Sequence, residues 1–310
     1  MAKSSRTKSL ITLHWIILLL GFTGILGKLI TIGSTLLVWW RMGIAFVALA
    51  LYLAFRKELN DIPKNLIGKL IGTGAIVAIH WILFFESIKV SNISVAVVCL
   101  STASLMSAFL EPFFFKRKTR GYEVIFGLIV IFGLSLAFDA GTQYKWGYIY
   151  GILSAFFASL FTNINGLYVD KISSSKLSML EMIGGFITIS LYLPFMGDIG
   201  WESFTLSSSD LFYIMLLAIV CTAYAFVESV RVMEQLTPFT VTVSFNLEPI
   251  YSIIFALLIF KESEEMDIQF YIGVLCIISV VLLDGYFKSS KAREKLKSIT
   301  KRKSNPNSPE

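Results

Sequence analysis

The chain has 310 residues, of which 55% are apolar and only 15% charged, and its formal net charge is +6. Soluble chains carry about 25% charged residues, so this one has too few to cover a wet surface. The positive surplus sits in loops and in the polar C-terminal stretch, a distribution that marks orientation in a membrane and excludes a nucleic-acid binder.

Residues 1–9 are basic, and the apolar run after them exceeds a signal-peptide core and lacks a small-x-small cleavage site, so it is expected to remain as a first span. Ten windows then read as spans, at 10–31, 36–55, 66–88, 93–115, 122–138, 146–168, 177–196, 211–230, 239–260 and 269–287. Each approaches the length that a helix needs to cross about 30 Å of hydrocarbon. TIGST at 31–35 is the first tight turn, and the longest loop, near 197–210, holds GDIGWESFTLSSSD. Strands of a membrane barrel would be about ten residues long and alternate in polarity, whereas these runs are longer and apolar on every side. Helices also satisfy their own backbone hydrogen bonds in lipid. Gly-rich stretches such as GFTGILG, GTGA and MIGGF read as surfaces for close helix approach. The tail, ending in KRKSNPNSPE, has no core-forming pattern and is expected to be disordered.

Twenty-two of the 27 Lys and Arg residues fall on the side of the N-terminus, and only Lys28, Lys89, Lys145 and Lys261 fall on the other, with Arg41 inside the second span. This bias places both termini in the cytoplasm, which requires an even number of crossings. The predicted class is an all-α membrane protein of ten transmembrane helices in the cell (inner) membrane.

Three segments recur in order. GFTGILG (21–27) matches LFTNING (160–166), FFESIKV (84–90) matches FVESVRV (226–232), and FGLIVI (126–131) matches IGVLCI (272–277), at offsets of 139, 142 and 146. A five-span copy reverses the direction of whatever follows it, so the layout predicted is two inverted five-helix repeats. A cytoplasmic N-terminus (1–9) precedes the first repeat (10–140); the second (141–288) is followed by a basic cytoplasmic tail (289–310). Inverted halves with a site between them suit alternating access.

The most specific segment is LEPIYSIIFALLIFKESEEMDIQFYIGVLCIISVVLL at 247–283. Its apolar helix with a proline, its Phe260-Lys261-Glu262 end and its glycine-containing last span resemble the EamA-type carriers of the drug/metabolite transporter superfamily, as does Arg41 in the second span. The resemblance covers about residues 10–288 and implies a carrier with a central substrate site between two repeats. Two features depart from that pattern. Ser104 stands where the first copy would have the counterpart of Pro249, with Glu111-Pro112 out of register, and the first copy ends in KRKTR.

Several polar residues are candidates for a site. Glu248, beside Pro249 in the ninth span, is an intramembrane carboxylate that must pair, face the interior or take a proton, and proline there removes a helix bond and marks a helix break. Its alternative role is a hydrogen bond that holds helices together. Asn246 is a candidate for the edge of the same site, and Ser101 and Thr102 are the first-half positions near it. His80 and Trp81 lie deep in the third span, His14 and Trp15 in the first, and Tyr224 at similar depth in the eighth; packing is the plainer reading of each. Asn163 and Asn165 offer amides to a polar substrate or a neighbouring helix. Lys28 and Arg41 read as snorkelling cations or as a vestibule for an anionic group. Glu181 falls roughly where the duplication places the partner of Arg41. The i,i+3 pairs Glu86/Lys89 and Glu228/Arg231 read as helix-end ion pairs that could latch a closed state.

Cys99, Cys221 and Cys276 lie in apolar runs and read as small buried hydrophobes. With only His14 and His80 no metal cluster is expected, nor any other cofactor. No Gly-rich loop ends in Lys-Ser or Lys-Thr to cradle a phosphate. The function expected is a secondary transporter, not an enzyme, exporting a small polar metabolite such as an amino acid. The alternative is a carrier or flippase of a nucleotide-linked or lipid-linked compound, and a membrane-embedded enzyme comes last. The partners expected are a small-molecule substrate, membrane lipids and protons as coupling ion, with the chain a monomer or homodimer.

Overall fold

A computed structural model describes residues 2–60, 62–115, 121–139, 142–168, 170–197, 200–225, 227–228, 232, 247–261, 265–280, 282–283 and 286. Asn246 and Arg231 lie outside the described residues, as do 233–245, the whole of the tail at 289–310 and KRKTR at 116–120.

Among the described residues every regular element is helical. They are α1 (Ala2–Leu29), α2 (Ser34–Phe55), α3 (Lys64–Val90), α4 (Ile93–Ser101), α5 (Ala103–Phe115), α6 (Gly121–Asp139), α7 (Lys145–Gly166), α8 (Ser174–Tyr192), α9 (Ser208–Ala218), α10 (Glu248–Phe260) and α11 (Ile268–Val280). Six helical stretches among the described residues are long and apolar enough to cross a membrane: Lys8–Leu29, Ser34–Phe55, Lys64–Val90, Gly121–Asp139, Thr142–Gly166 and Ser174–Phe195. The fourth window is a bent pair, and the eighth, ninth and tenth windows hold shorter apolar helices. The described residues are thus all-helical and fit a multi-pass membrane protein.

Two breaks have local causes. Between Ile93–Ser107 and Phe109–Phe115 the chain bends by 41°. Pro112 lies four residues beyond the break, where its ring crowds the carbonyl of residue 108 and it offers no N–H to that carbonyl. Just before, the Ser101 and Thr102 hydroxyls donate to the Val98 and Cys99 carbonyls at 2.7 and 2.6 Å, closing α4 with side-chain bonds. Pro249 stands in the first turn of α10, where the missing N–H costs nothing. The Pro112 bend therefore falls within the helix, whereas Pro249 opens one.

The packing repeats under exchange of the two copies. α3 lies against α8 as α2 lies against α9; α3 against α7 as α1 against α9; α4 and α5 against α7 as α10 against α1. α2 meets its own counterpart α8, and α4 meets α10. Among the described residues, contacts between helices of the two copies thus recur when the copies are exchanged.

The α3–α8 crossing is backbone on backbone. A Cβ on Gly74 would overlap the Glu181 carbonyl, one on Gly184 would overlap the Ile71 backbone, and one on Gly185 would sit 2.8 Å from the Gly74 carbonyl. Without a driving force from water, such close van der Waals contact is what holds membrane helices together. Gly133 and Gly273 make a similar contact between α6 and α11.

Candidate functional site

α2 carries Arg41 seven residues past its start, about 10 Å along the axis. The side chain is only 2% exposed. It does not snorkel to water, in contrast to the reading from its place near a helix end: the helix face it occupies turns inward against α3 and α9. Its guanidinium lies 3.7 Å from the centroid of the Trp81 ring and 5.6 Å from that of Phe85. Nε donates to the Thr222 hydroxyl at 2.9 Å. Nη1 is buried with no hydrogen-bond partner. A guanidinium out of water with a bare N–H is costly unless something completes it.

Thr222 is positioned by the π-helical turn Ile219–Tyr224 that continues α9. Its hydroxyl donates back to the Leu217 carbonyl at 2.8 Å, five residues earlier, and so turns its lone pairs to Arg41. A π turn inside an α-helix often marks a functional position. Thr222 was not singled out from the sequence, yet a signal existed: the 142-residue offset of the second repeated segment pairs it with His80. Tyr224, at the end of the same turn, is 41% exposed and turned away from that packed interior.

Glu248 opens α10, half-buried and within Coulombic range of Arg41. His80 also lies within Coulombic range of Arg41. Its Nδ1 stands 2.8 Å from the Ser154 hydroxyl and 3.0 Å from the Ser154 carbonyl, while that hydroxyl sits 3.0 Å from the His80 carbonyl. The structure thus gathers Arg41, Trp81, His80, Thr222 and Glu248 from α2, α3, α9 and α10. It contains opposite charges, an aromatic plate and an unfilled donor.

The other candidates lie elsewhere. Asn163 donates to the Ser107 hydroxyl and the Ser159 carbonyl, both at 2.8 Å, tying α7 to α5. Ser101 closes α4, as described. Asn165 sits against the carboxyl of Glu181, which is 1% exposed. Lys28 lies 4.4 Å from the Phe260 ring centroid, at the far end of α10 from Glu248. His14 is exposed on α1 and Glu228 is buried. Among the described residues no group of three or more His, Cys, Asp or Glu side chains could hold a metal.

At the end where α1 and α3 finish and α9 begins, a strap joins the two copies. Lys89 Nζ donates to the Ile30 and Ile32 carbonyls at 3.0 and 2.6 Å, within Coulombic range of Glu86 and Asp210. The Asp210 carboxylate accepts from the Thr31 N–H and hydroxyl, both at 2.7 Å, and from the Ser207 hydroxyl at 2.9 Å. Lys89 therefore directs its donors to the 30–32 turn and not to Glu86 alone. Burial pushes the Asp210 carboxyl up, but the Thr31 and Ser207 hydrogen bonds and the Lys89 charge outweigh it and hold it below the ordinary aspartate range. A depressed folded value means stabilisation is present above the unfolded value near 3.8 and is lost as pH falls through the folded one. Asp210→Ala is expected to lower the midpoint of thermal unfolding in detergent on the order of 5 °C at neutral pH. Wild type and variant should converge in acid, below both aspartate values. A variant equal to wild type at pH 7 would remove the strap from the account of stability.

The model of the EamA-like transporter family matches residues 8–138 and again 145–284. A curated relative, the "Uncharacterized transporter YdfC" of Bacillus subtilis (strain 168), is 25% identical over 193 residues, covering 60% of this chain and 62% of that protein. The chain thus matches less than two thirds of that relative's length. One solved crystal structure superimposes over 89% of this chain and 97% of its own with a TM-score of 0.61 at 14% identity, a likeness of fold.

Proposed function

The chain belongs to the EamA-like transporter family, and on that premise we propose that it is a secondary carrier exporting a small zwitterionic metabolite, an amino acid by class, through alternating access. In this reading the ten windows are ten crossings, the two copies stand in opposite orientation, and both termini face the cytoplasm of a cell membrane. The positive-inside distribution of Lys and Arg supports that orientation.

The observation that carries the substrate class is Arg41. Its guanidinium is buried and held flat on Trp81, with Nη1 unfilled and Glu248 within Coulombic range. A substrate carboxylate would complete Arg41 in the planar geometry that guanidinium favours. The substrate ammonium would face Glu248, and its apolar part would lie along Trp81. Among the described residues Arg41 is the one buried Lys or Arg, which suits a carboxylate better than a diphosphate, which would need several. Binding neutralises the charges of substrate and site together, so the loaded site can cross between facings with less exposed charge than the empty one.

The test is a screen of radiolabelled metabolites in counterflow into proteoliposomes of the full chain. Uptake of an α-amino acid, abolished when its carboxylate is amidated, is the expected result. Transport confined to phosphorylated or lipid-linked compounds would overturn the substrate class, and no carrier-dependent flux of any class would overturn the carrier.

A further inference from the structure

Glu181 lies apart from the Arg41 cluster and plays no part in it. On α8 its neighbour Gly185 meets Met42 of α2, and Ser190 accepts from Trp39 Nε1 at 2.8 Å. Arg41 is therefore level with the stretch from Gly185 to Ser190, about 6 Å or more along the axis beyond Glu181. Glu181 faces the end of the bundle where α7 finishes and α8 begins.

Its surroundings are dry and incomplete. The carboxyl is 1% exposed, and Oε1 is buried without a hydrogen-bond partner. The Asn165 amide N–H donates to the carboxyl, while its own Oδ1 is buried without a partner. The backbone of Glu181 is pressed onto Gly74 of α3. The charges on neighbouring elements are engaged elsewhere: Lys69 of α3 lies 5.9 Å from the Tyr168 ring centroid, His80 of α3 is bound to Ser154, and Arg41 of α2 is stacked on Trp81. Lys176, in the first turn of α8, reaches the Asn60 carbonyl at 2.9 Å. None of these acts on Glu181, whose environment is set by burial and by Asn165.

An ionised carboxylate so placed lacks both water and a counter-charge, a costly state. A hard metal cation takes about six oxygens, and a crossing where helices touch through glycine has neither the room nor the ligands. A proton needs no room. Placed on Glu181, it removes the uncompensated charge, leaves the carboxyl able to accept from the Asn165 amide N–H, and supplies a hydrogen where the carboxyl now has an orphaned oxygen.

We propose that Glu181, backed by Asn165, is a proton-binding site separate from the Arg41–Glu248 cluster, occupied while α3, α7 and α8 are closed on one another and emptied to water when they part. This rests on the carrier reading, in which that opening is one facing of the cycle and the proton is the coupling ion. The step is a simple ionisation: the O–H bond breaks, the electron pair remains on the carboxylate, and water at the opened end takes the proton.

The test needs no transported metabolite. Infrared difference spectra of the purified full chain, recorded across pH steps, are expected to show the carbonyl stretch of a protonated carboxylic acid at neutral pH. That band should shift in D2O, fade as pH rises, survive E248Q and vanish in E181Q. Asn165→Ala, which leaves Glu181 in place, should keep the band with a displaced midpoint, so the assignment does not depend on how well E181Q folds. An unchanged spectrum in E181Q would overturn the proposal. So would a tenfold or larger response of the band to sodium at fixed pH, which would make this a metal-cation site. Failure here alongside successful counterflow removes only the proton site; failure of counterflow alone removes the carrier reading and the coupling role with it, and leaves Glu181 as a proton-binding group.

Discussion

Arg41→Gln is expected to cut uptake of the carried amino acid at sub-saturating concentration about 30-fold or more, with the protein still folded. Removing one partner from a buried, hydrogen-bonded charge pair costs about 2–5 kcal/mol, and 1.4 kcal/mol is a factor of ten. The effect should fall on affinity, because in the proposed reading the carboxylate meets Arg41 as it binds. Arg41→Lys keeps the charge but gives up the flat stack on Trp81 and the two-pronged geometry, so it should recover only part of the loss. Counterflow measured over a range of substrate concentrations separates these outcomes. Wild-type affinity in Arg41→Gln would mean that the guanidinium serves packing alone.

The other large effect is on assembly. Gly184→Val is expected to abolish the folded protein, and Gly184→Ala to lower stability by about 1–3 kcal/mol or more, because even one added methyl group meets the Ile71 backbone, which cannot swing aside as a side chain can. Gly68 and Gly72 are the controls: on the same α3 helix a Cβ meets nothing within 4 Å at either position. Alanine there should be neutral or slightly stabilising through helix propensity. Size-exclusion profiles and thermal unfolding in detergent report both series. Equal behaviour of Gly184→Ala and Gly72→Ala would show that the crossing tolerates separation.

The helices were legible because lipid imposes so blunt a requirement: a run long enough to cross, without exposed backbone polar groups. The glycine motif MIGGF was legible as a packing surface, and it is Gly184 and Gly185 of that motif that meet α3. Which face of a helix points inward was less accessible. Arg41 sits near a helix end, a position from which a long cation ordinarily reaches water. Only the placement of Trp81 and Thr222 shows that it is enclosed. Hydrogen bonds between distant positions were hidden altogether. Nothing in the local pattern joins His80 to Ser154 or Thr31 to Asp210, since a hydroxyl's partner depends on the approach of another helix. The π turn was equally silent, because IVCTAY would also fit an ordinary α turn.

The bare contact between Gly74 and Gly184–Gly185 has a mechanical side. Rods that touch without interlocking teeth resist separation but offer little resistance to turning, so the crossing serves as a fulcrum. From Gly74 to the end of α3 at Val90 the lever arm is about 24 Å. A swing of roughly 10° displaces its tip by about 4 Å, as much as a side chain's width.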